Sequence, residues 1–263
     1  MTTWGPPGSL VGLESARVIV EYPLAADRTG LFALVDVDAE VVGPLRSATP
    51  SDAMLAVGFA ADLVTTLTTG AVVDELAGSG LRVFEEHTVA GTLVRDPARR
   101  APFNLYAVTG AVRAAVGQRE IGVPWSPGAV RSEGTQPPGQ PSGGPQAQDE
   151  ATVPVAGDIA VTWTWDPGAG RWLRTAAGQL EQSATGERVA AEAVLVLEVP
   201  LAEDRPLAVA DLIGSGPARI LRDGTALATR WERAAAGDLP TVHGADGARS
   251  GVTWVHVCAA PCV

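Results

Sequence analysis

The stretch IAVTWTWDPGAGRWLR, residues 159–174, decides the fold class of the C-terminal half of the chain. Apolar and polar residues alternate from Ile159 to Trp165, as in a strand with one buried face. Residues 166–170 have the composition of a turn, and the residues that follow begin a returning strand. Further strand patterns occupy residues 189–199, 218–221, 226–231 and 252–257. The sequence therefore predicts a β-rich antiparallel domain over residues 155–263.

The segment that precedes this domain has a different composition. Residues 126–154, SPGAVRSEGTQPPGQPSGGPQAQDEATVP, consist mainly of Pro, Gly, Ser, Gln and charged residues. Such a segment buries too little apolar surface to offset the entropy of ordering it. We therefore predict a linker over residues 126–154, with a first domain at residues 1–125 and a smaller second domain at residues 155–263.

The first domain combines strand and helix patterns. Residues 16–22 and 31–37 are rich in β-branched and apolar residues and predict two strands of a hairpin. Ser51 is a candidate N-cap of a helix with Asp52 in its first turn. Asn104 precedes LYAVTGAVRAAV, whose apolar spacing predicts a second helix. The whole chain is expected to have an α+β fold, with a mixed α/β domain followed by the antiparallel β domain.

The composition limits the classes of partner. The net charge is −11 and the pI is about 4.7, so that a phosphate backbone would be repelled and no nucleic-acid binding is expected. No apolar run reaches the roughly 20 residues that cross a bilayer, and the sequence predicts no transmembrane segment. No signal peptide or lipobox pattern is visible in this chain.

The two cysteines, Cys258 and Cys262, are four positions apart near the C-terminus. In an oxidising compartment they could form a disulfide, and in a reducing one they would remain thiols. A zinc site that combined them with His243 and His256 would not have the ligand spacing of known zinc motifs. We predict no metal site and no cofactor.

Several ordered blocks of the sequence resemble one family. Residues 43–52, GPLRSATPSD, resemble the GPxRSARPTD signature of the YerB-like lipoproteins, whose function is unknown. Residues 95–106, RDPARRAPFNLY, resemble the RDPxRRAPHNLY segment of the same family. Matching blocks follow in order at residues 172–174, 185–187, 214–216, 222–224 and 254–255. The resemblance covers residues 12–257 and implies an extracytoplasmic, two-domain protein of the bacterial cell envelope.

The sequence departs from the family pattern mainly at polar positions. Thr49 stands where the first signature has its second arginine, and Phe103 stands where the second block has a histidine. Leu180 and Gln182 occupy the positions of a histidine and an aspartate. Because polar groups are lost while the apolar framework is kept, the resemblance implies that a site built from those groups is partly lost in this chain.

The polar residues that remain in the two signature blocks form our candidate ligand site. Arg95, Arg99 and Arg100 precede a predicted helix, and guanidinium groups near free helical N–H groups can hold a carboxylate or a phosphate. We expect Arg46 and Arg95 to converge on one pocket of the first domain. Alternatively, the arginines pair with nearby acidic residues and hold their loops in place. The complete candidate set is Glu21, Arg46, Ser47, Asp52, Arg95, Arg99, Arg100, Asn104 and Tyr106.

Other chemistry finds less support in the sequence. Ser47 as a nucleophile would need a histidine base, and no Gly-x-Ser-x-Gly motif is present. Glu85 and Glu86 are adjacent carboxylates, which alternate faces on a strand and are typical of solvated residues. The three tryptophans of residues 163–172 either stack on the sugar rings of a wall polymer or fill a β core.

The sequence favours a protein of the cell envelope that binds an anionic small molecule or a cell-wall glycan without transforming it. A first alternative is a hydrolase or transferase that acts on a cell-wall or phosphate-containing substrate, with Arg46 and Arg95 as charge clamps. A second alternative is a protein-interaction module whose acidic surface meets a basic partner.

Overall fold

The computed structural model describes residues 2–3, 10–13, 16–25, 28–35, 40–59, 61–116, 144–156, 159–200, 213–235, 238, 240–243, 252–259 and 261–263. The chain divides into two units that alternate along the sequence. The first unit comprises Met1–Ile19, Gly30–Pro124 and Glu181–Val189. The second comprises Val20–Thr29, Trp125–Leu180 and Ala190–Val263. A single cut after residue 125 would assign two of these segments, Val20–Thr29 and Glu181–Val189, to the other unit.

The chain has an α+β fold in which strands predominate. Two of the strands, β2 and β3, form the predicted hairpin. Within the described residues the elements are, in chain order, β1 (Thr2–Thr3), β2 (Ala16–Ala25), β3 (Arg28–Val35), β4 (Val41–Val42), α1 (Pro50–Gly58), β5 (Leu63–Val64), α2 (Gly70–Leu76), β6 (Val83–Phe84), β7 (Leu93–Arg95), β8 (Leu105–Val108), α3 (Thr109–Val116), β9 (Gln146–Ala147), β10 (Glu150–Ala156), β11 (Ile159–Asp166), β12 (Arg171–Ala176), β13 (Gln179–Leu180), β14 (Ala190–Ala191), β15 (Ala193–Val199), β16 (Gly214–Arg222), β17 (Thr225–Arg233), β18 (Thr241–Val242) and β19 (Thr253–Ala259).

The N-cap of helix α1, in the first unit, lies two residues before the predicted one. Thr49 is the N-cap, its hydroxyl accepts from the Asp52 amide, and the Asp52 carboxylate accepts from the Thr49 amide. This reciprocal capping satisfies two amide groups of the first turn. Pro50 fits the first helical position because its ring fixes φ and it has no N–H to satisfy. The predicted helix is confirmed, and Ser51 is not its cap.

Asn104 does not precede a helix. Leu105, Tyr106 and Ala107 are buried in β8, the central strand of a three-stranded sheet with the order β4-β8-β7. Helix α3 begins only at Thr109. A strand buried on both faces has a continuous apolar run, which can imitate the apolar spacing of a helix. The prediction of a helix that starts at Asn104 is therefore wrong.

The second unit contains two sheets. One has the strand order β2-β19-β15-β16-β17-β18, with β9 beside β17, and the other has the order β10-β11-β12-β13, with β14 beside β12. The antiparallel pairing of β11 with β12 places Trp165 opposite Trp172, as the stretch at residues 159–174 predicts. The pairing of β15 with β19 is parallel, in contrast to the expected antiparallel domain. This unit includes Trp125–Leu180, and with it the segment predicted as a linker.

Part of the predicted linker is a strand. Residues 150–156 form β10, because Ala151, Val153 and Val155 alternate into the core while the residues between them are exposed. In the sequence, a proline and polar residues within this segment obscure the alternation of buried and exposed positions. Residues 126–143 of the predicted linker lie outside the described residues.

Gly216 of β16 leaves room for the indole ring of Trp231 to pass over β16. Trp231 of β17 donates from Nε1 to the Glu198 carbonyl of β15, at 2.8 Å. A Cβ at position 216 would lie 2.6 Å from the Glu198 carbonyl oxygen and 2.7 Å from Trp231 Nε1. Only a residue without a side chain leaves room for this hydrogen bond.

We expect Gly216→Ala to lower the free energy of unfolding by about 1–3 kcal/mol, because the added methyl group overpacks the buried indole. Urea unfolding followed by tryptophan fluorescence measures this change. Gly144→Ala is the matched control, since a Cβ there has no neighbour within 4 Å. A loss of the same size in both variants would contradict the role of the crossing indole.

Candidate functional site

The last residue of β7 and the turn that follows it carry the three arginines of the second signature block. We call residues 95–104 the arginine turn. Its ends are joined by the Asp96 amide, which donates to the Asn104 carbonyl at 2.8 Å. The Asp96 carboxylate accepts from the Ala98 amide at 2.9 Å, which shapes the first bend. Two loop ends fixed in this way hold the arginine side chains on one short segment.

Arg95 is held by a carboxylate in a two-point contact. Its Nε donates to Glu86 Oε1 at 2.8 Å and its Nη2 donates to Glu86 Oε2 at 2.5 Å. A third donor, Nη1, reaches Asn104 Oδ1 at 3.3 Å. Both ionic side chains remain accessible, with exposed fractions of 52% for Arg95 and 30% for Glu86. The hydrogen bond from Arg95 holds the pKa of Glu86 below its usual value, so that the carboxylate stays charged.

The other two arginines of the turn differ in their surroundings. Arg99 pairs with Asp96 at 3.2 Å, and its guanidinium carbon lies 5.5 Å from the centre of the Tyr106 ring. Tyr106 is buried, its hydroxyl donates to the Phe103 carbonyl at 3.2 Å, and burial raises its pKa. Arg100 is exposed and makes no side-chain hydrogen bond or ion pair with the described residues. It is the arginine of the turn whose donors are most available to a ligand.

Arg46 is a buried structural residue of the same unit. Its Nη1 and Nη2 donate to the two oxygens of Asp52, each at 2.8 Å, and its Nη1 also reaches the Ser47 carbonyl at 2.7 Å. The exposed fraction is 5% for the Arg46 side chain and 0% for Asp52. Since Arg46 and Arg95 pair with different carboxylates, one buried and one exposed, they do not meet at a common acid. Ser47 is exposed, and its hydroxyl lies 3.2 Å from Thr66 Oγ1.

Glu21 belongs to the second unit, whereas the other eight candidate residues belong to the first. Its carboxylate is 2% exposed and accepts hydrogen bonds from Arg174 at 2.9 Å, Thr29 at 3.1 Å and Trp254 Nε1 at 3.1 Å. Burial by itself raises the pKa of Glu21, but Arg174, His256 and the hydrogen bonds outweigh it and lower that pKa. Glu21 is therefore a buried anion whose partners hold it in its charged form.

His256 completes this buried cluster of Glu21, Arg174, Trp254, His256 and Trp163. Trp163 Nε1 donates to His256 Nε2 at 2.8 Å. Because an indole nitrogen can only donate, Nε2 of the imidazole is the acceptor and the ring proton of neutral His256 lies on Nδ1. His256 Nδ1 is 3.4 Å from Glu21 Oε2. Burial lowers the pKa of His256 to about 4.

The partners of Glu21 are the residues that the sequence interpretation missed. Arg174, Trp254 and His256 come from β12 and β19, far from Glu21 along the chain. A signal was present, since Glu21 stands within an apolar strand and a buried carboxylate requires a partner. The sequence could not identify that partner among the many arginines of the chain.

The tryptophans of the second unit fill its core. Trp163 and Trp172 are fully buried, which leaves no ring face for a sugar. Trp165 packs against Trp172, with ring centres 5.5 Å apart, and lies over Gly224, where a Cβ would be 2.8 Å from Trp165 Nε1. These contacts favour the core-filling interpretation over sugar stacking.

A disulfide closes the C-terminal end of the chain. It joins Cys258, buried in β19, to Cys262. The carboxylate of Glu198 accepts from the Cys262 amide at 2.8 Å and from the Val263 amide at 3.3 Å. The last residues are therefore held by one covalent bond and by two charge-assisted hydrogen bonds.

The described residues contain neither a candidate metal site nor a candidate transmembrane helix. No group of three or more His, Cys, Asp or Glu side chains in this part of the chain could hold a metal ion. None of the helices found there has the length and apolar character required to span a bilayer.

Comparisons with known proteins identify the family. The N-terminal domain of the family described as "Protein of unknown function (DUF3048)" matches residues 9–122, and its C-terminal domain matches residues 151–255. The crystal structure of the YerB protein from Bacillus subtilis is similar in fold, with a TM-score of 0.75 and 18% identity over 97% of this chain and 88% of that one. No curated protein matches the sequence significantly. The chain therefore belongs to the YerB-like family of proteins of unknown function (DUF3048).

Proposed function

We propose that this protein acts outside the cytoplasm, at the cell envelope, and binds an anionic ligand through the arginine turn without transforming it. The observation that carries the proposal is the exposure of Arg100, without a partner among the described residues, beside Arg95 and Arg99 on one short turn. Guanidinium groups recognise carboxylates and phosphates by paired N–H donors.

The charge distribution supports an anion as the ligand. The chain as a whole has a net charge of −11. The arginine turn carries three guanidinium groups, and the acids that pair with them among the described residues are Asp96 and Glu86. A local excess of positive charge on an acidic protein attracts a small anion to that place, while the remaining surface repels it.

Burial of the other polar candidates supports binding at the turn. Other candidates form buried ion pairs within their own units, Arg46 with Asp52 and Glu21 with Arg174. Trp163 and Trp172 are also buried, which favours an anionic ligand over a glycan. Of the charged residues in the candidate set, Arg95 and Arg100 of the turn are the exposed ones.

The C-terminal disulfide supports a place outside the cytoplasm. Disulfides persist in oxidising compartments and are rare in the bacterial cytosol. The bond between Cys258 and Cys262 uses both cysteines of the chain. The resemblance of the sequence to YerB-like lipoproteins supports the same proposed location.

Titration of the full chain with succinate and with inorganic phosphate, followed by NMR signals of arginine side chains, tests the binding proposal. We expect Arg100→Gln to weaken binding about 10-fold or more, because a hydrogen bond to a charged group is lost. Arg82→Gln is the control, since Arg82 is an exposed arginine of the same unit, paired with Asp62 at 2.8 Å. Equal weakening in both variants would reduce the effect to general electrostatics and overturn the proposed site.

The same variants separate the alternative functions. Turnover of cell-wall fragments by the wild type, lost in Arg100→Gln or Arg95→Gln, would identify a hydrolase or transferase instead of a binder. Capture of a basic protein that survives both substitutions would favour the interaction module.

A further inference from the structure

The contact between Arg95 and Glu86 is already a complex of a guanidinium group with a carboxylate. Two parallel N–H···O bonds, at 2.8 and 2.5 Å, join Nε and Nη2 to the two carboxylate oxygens. This is the arrangement in which arginine recognises a carboxylate of a ligand. Glu86 therefore occupies the donors that a ligand would need at Arg95.

This pair lies at the surface and can be exchanged. Arg95 is 52% exposed and Glu86 is 30% exposed, so water reaches both side chains. An exposed ion pair gains little over its hydrated, separated partners. Among the described residues, Glu86 forms an ion pair with Arg95 alone, and its side chain is in contact with solvent into which it can turn. A ligand with the same chemistry can take its place.

We infer that Glu86 is an internal competitor for the ligand at Arg95, and that the ligand is a carboxylate which displaces it. This inference rests on the proposed function and adds to it both the ligand class and a control of affinity. Arg95 is oriented for a planar acceptor with two oxygens, since Asn104 holds its third nitrogen at 3.3 Å. Arg100, exposed on the same turn, is then available to a second acceptor group of the ligand.

The test compares succinate binding by the full-length wild type and by Glu86→Gln, which removes the competing charge and keeps the size of the side chain. We expect affinity to rise about two- to fivefold, which corresponds to the strength of an exposed ion pair. Glu75→Gln is the matched control, because Glu75 is an exposed glutamate of the same unit on α2. Its substitution removes the same charge and should change affinity less than 1.5-fold, an estimate of roughly the screened long-range effect.

A second variant tests the site of displacement. Arg95→Gln should reduce succinate affinity and should abolish the gain from Glu86→Gln when the two substitutions are combined. A gain that persists in the double variant would show that Glu86 acts through general charge, and it would overturn the inference.

The outcomes separate this inference from the proposed function. If the wild type binds succinate, Arg100→Gln weakens binding, and Glu86→Gln leaves it unchanged, the competition is wrong and the binding site stands. If neither the wild type nor Glu86→Gln binds succinate or phosphate, both are wrong. Binding by Glu86→Gln alone would support the competition at Arg95 and would contradict ligand binding by the wild type.

Discussion

Substitution of Glu21 by glutamine is expected to lower the free energy of unfolding of the second unit by about 3–5 kcal/mol, the usual cost of removing one partner of a buried ion pair. The Glu21 carboxylate accepts from Arg174, Thr29 and Trp254, and it is 2% exposed. Glutamine has nearly the same shape but no charge to balance the buried Arg174. Its amide group also presents donors to groups that are themselves donors.

Urea unfolding followed by tryptophan fluorescence measures this loss, because Trp163, Trp172, Trp231 and Trp254 are buried in the second unit. Glu150→Gln, on the exposed side of β10, is the control and should change stability by about 0.5 kcal/mol or less. The double variant Glu21→Gln with Arg174→Met should recover part of the loss, since it removes both charges. A loss below about 1 kcal/mol for Glu21→Gln would contradict the buried ion pair.

Acidification between pH 6.5 and pH 4 is expected to destabilise the second unit by about 3 kcal/mol through His256. Burial holds the pKa of His256 at about 4 in the folded protein, below its usual value of 6.5. Between these values the unfolded chain binds a proton that the folded chain does not bind, so stability is lost as the pH falls. Below pH 4.5 Glu21 adds to the loss, because its pKa is also lowered in the folded state.

Unfolding free energies measured in urea at pH 7, 6, 5 and 4 test this dependence. His256→Gln should flatten the profile between pH 6.5 and 4, because glutamine does not titrate and its amide oxygen can accept from Trp163. His243→Gln serves as the control, since His243 is a partly exposed histidine of the same unit, 3.4 Å from Glu232. A profile that is equally steep in wild type and His256→Gln would assign the acid sensitivity to other groups.

Local patterns of the sequence predicted much of the second unit. The alternation of residues 159–165 and the turn that follows correspond to β11 and β12. The residues around Asn104 misled because a fully buried strand and a helix can share an apolar run, and only tertiary contacts of β8 with β4 and β7 decide between them. Strand β10 was missed for a different reason, because its proline and polar residues gave this segment the composition of a linker.

The local contacts of the candidate site could be predicted from the sequence, and its long-range contacts could not. The arginine turn is a local feature, and its three arginines are visible in the sequence as one run. Arg46 pairs with Asp52, six positions along the chain. This local contact agrees with the alternative prediction that the arginines pair with nearby acidic residues and hold their loops in place. The contact of Glu21 with Arg174 was not, because it joins residues 153 positions apart and depends on the packing of two sheets.

The alternation of the two units along the chain has a consequence for the inheritance of this protein. The polypeptide passes from one unit to the other five times, so that no single cut releases either unit whole. A single crossover between two genes therefore cannot exchange one whole unit for a foreign counterpart, as it can in chains whose domains follow one another.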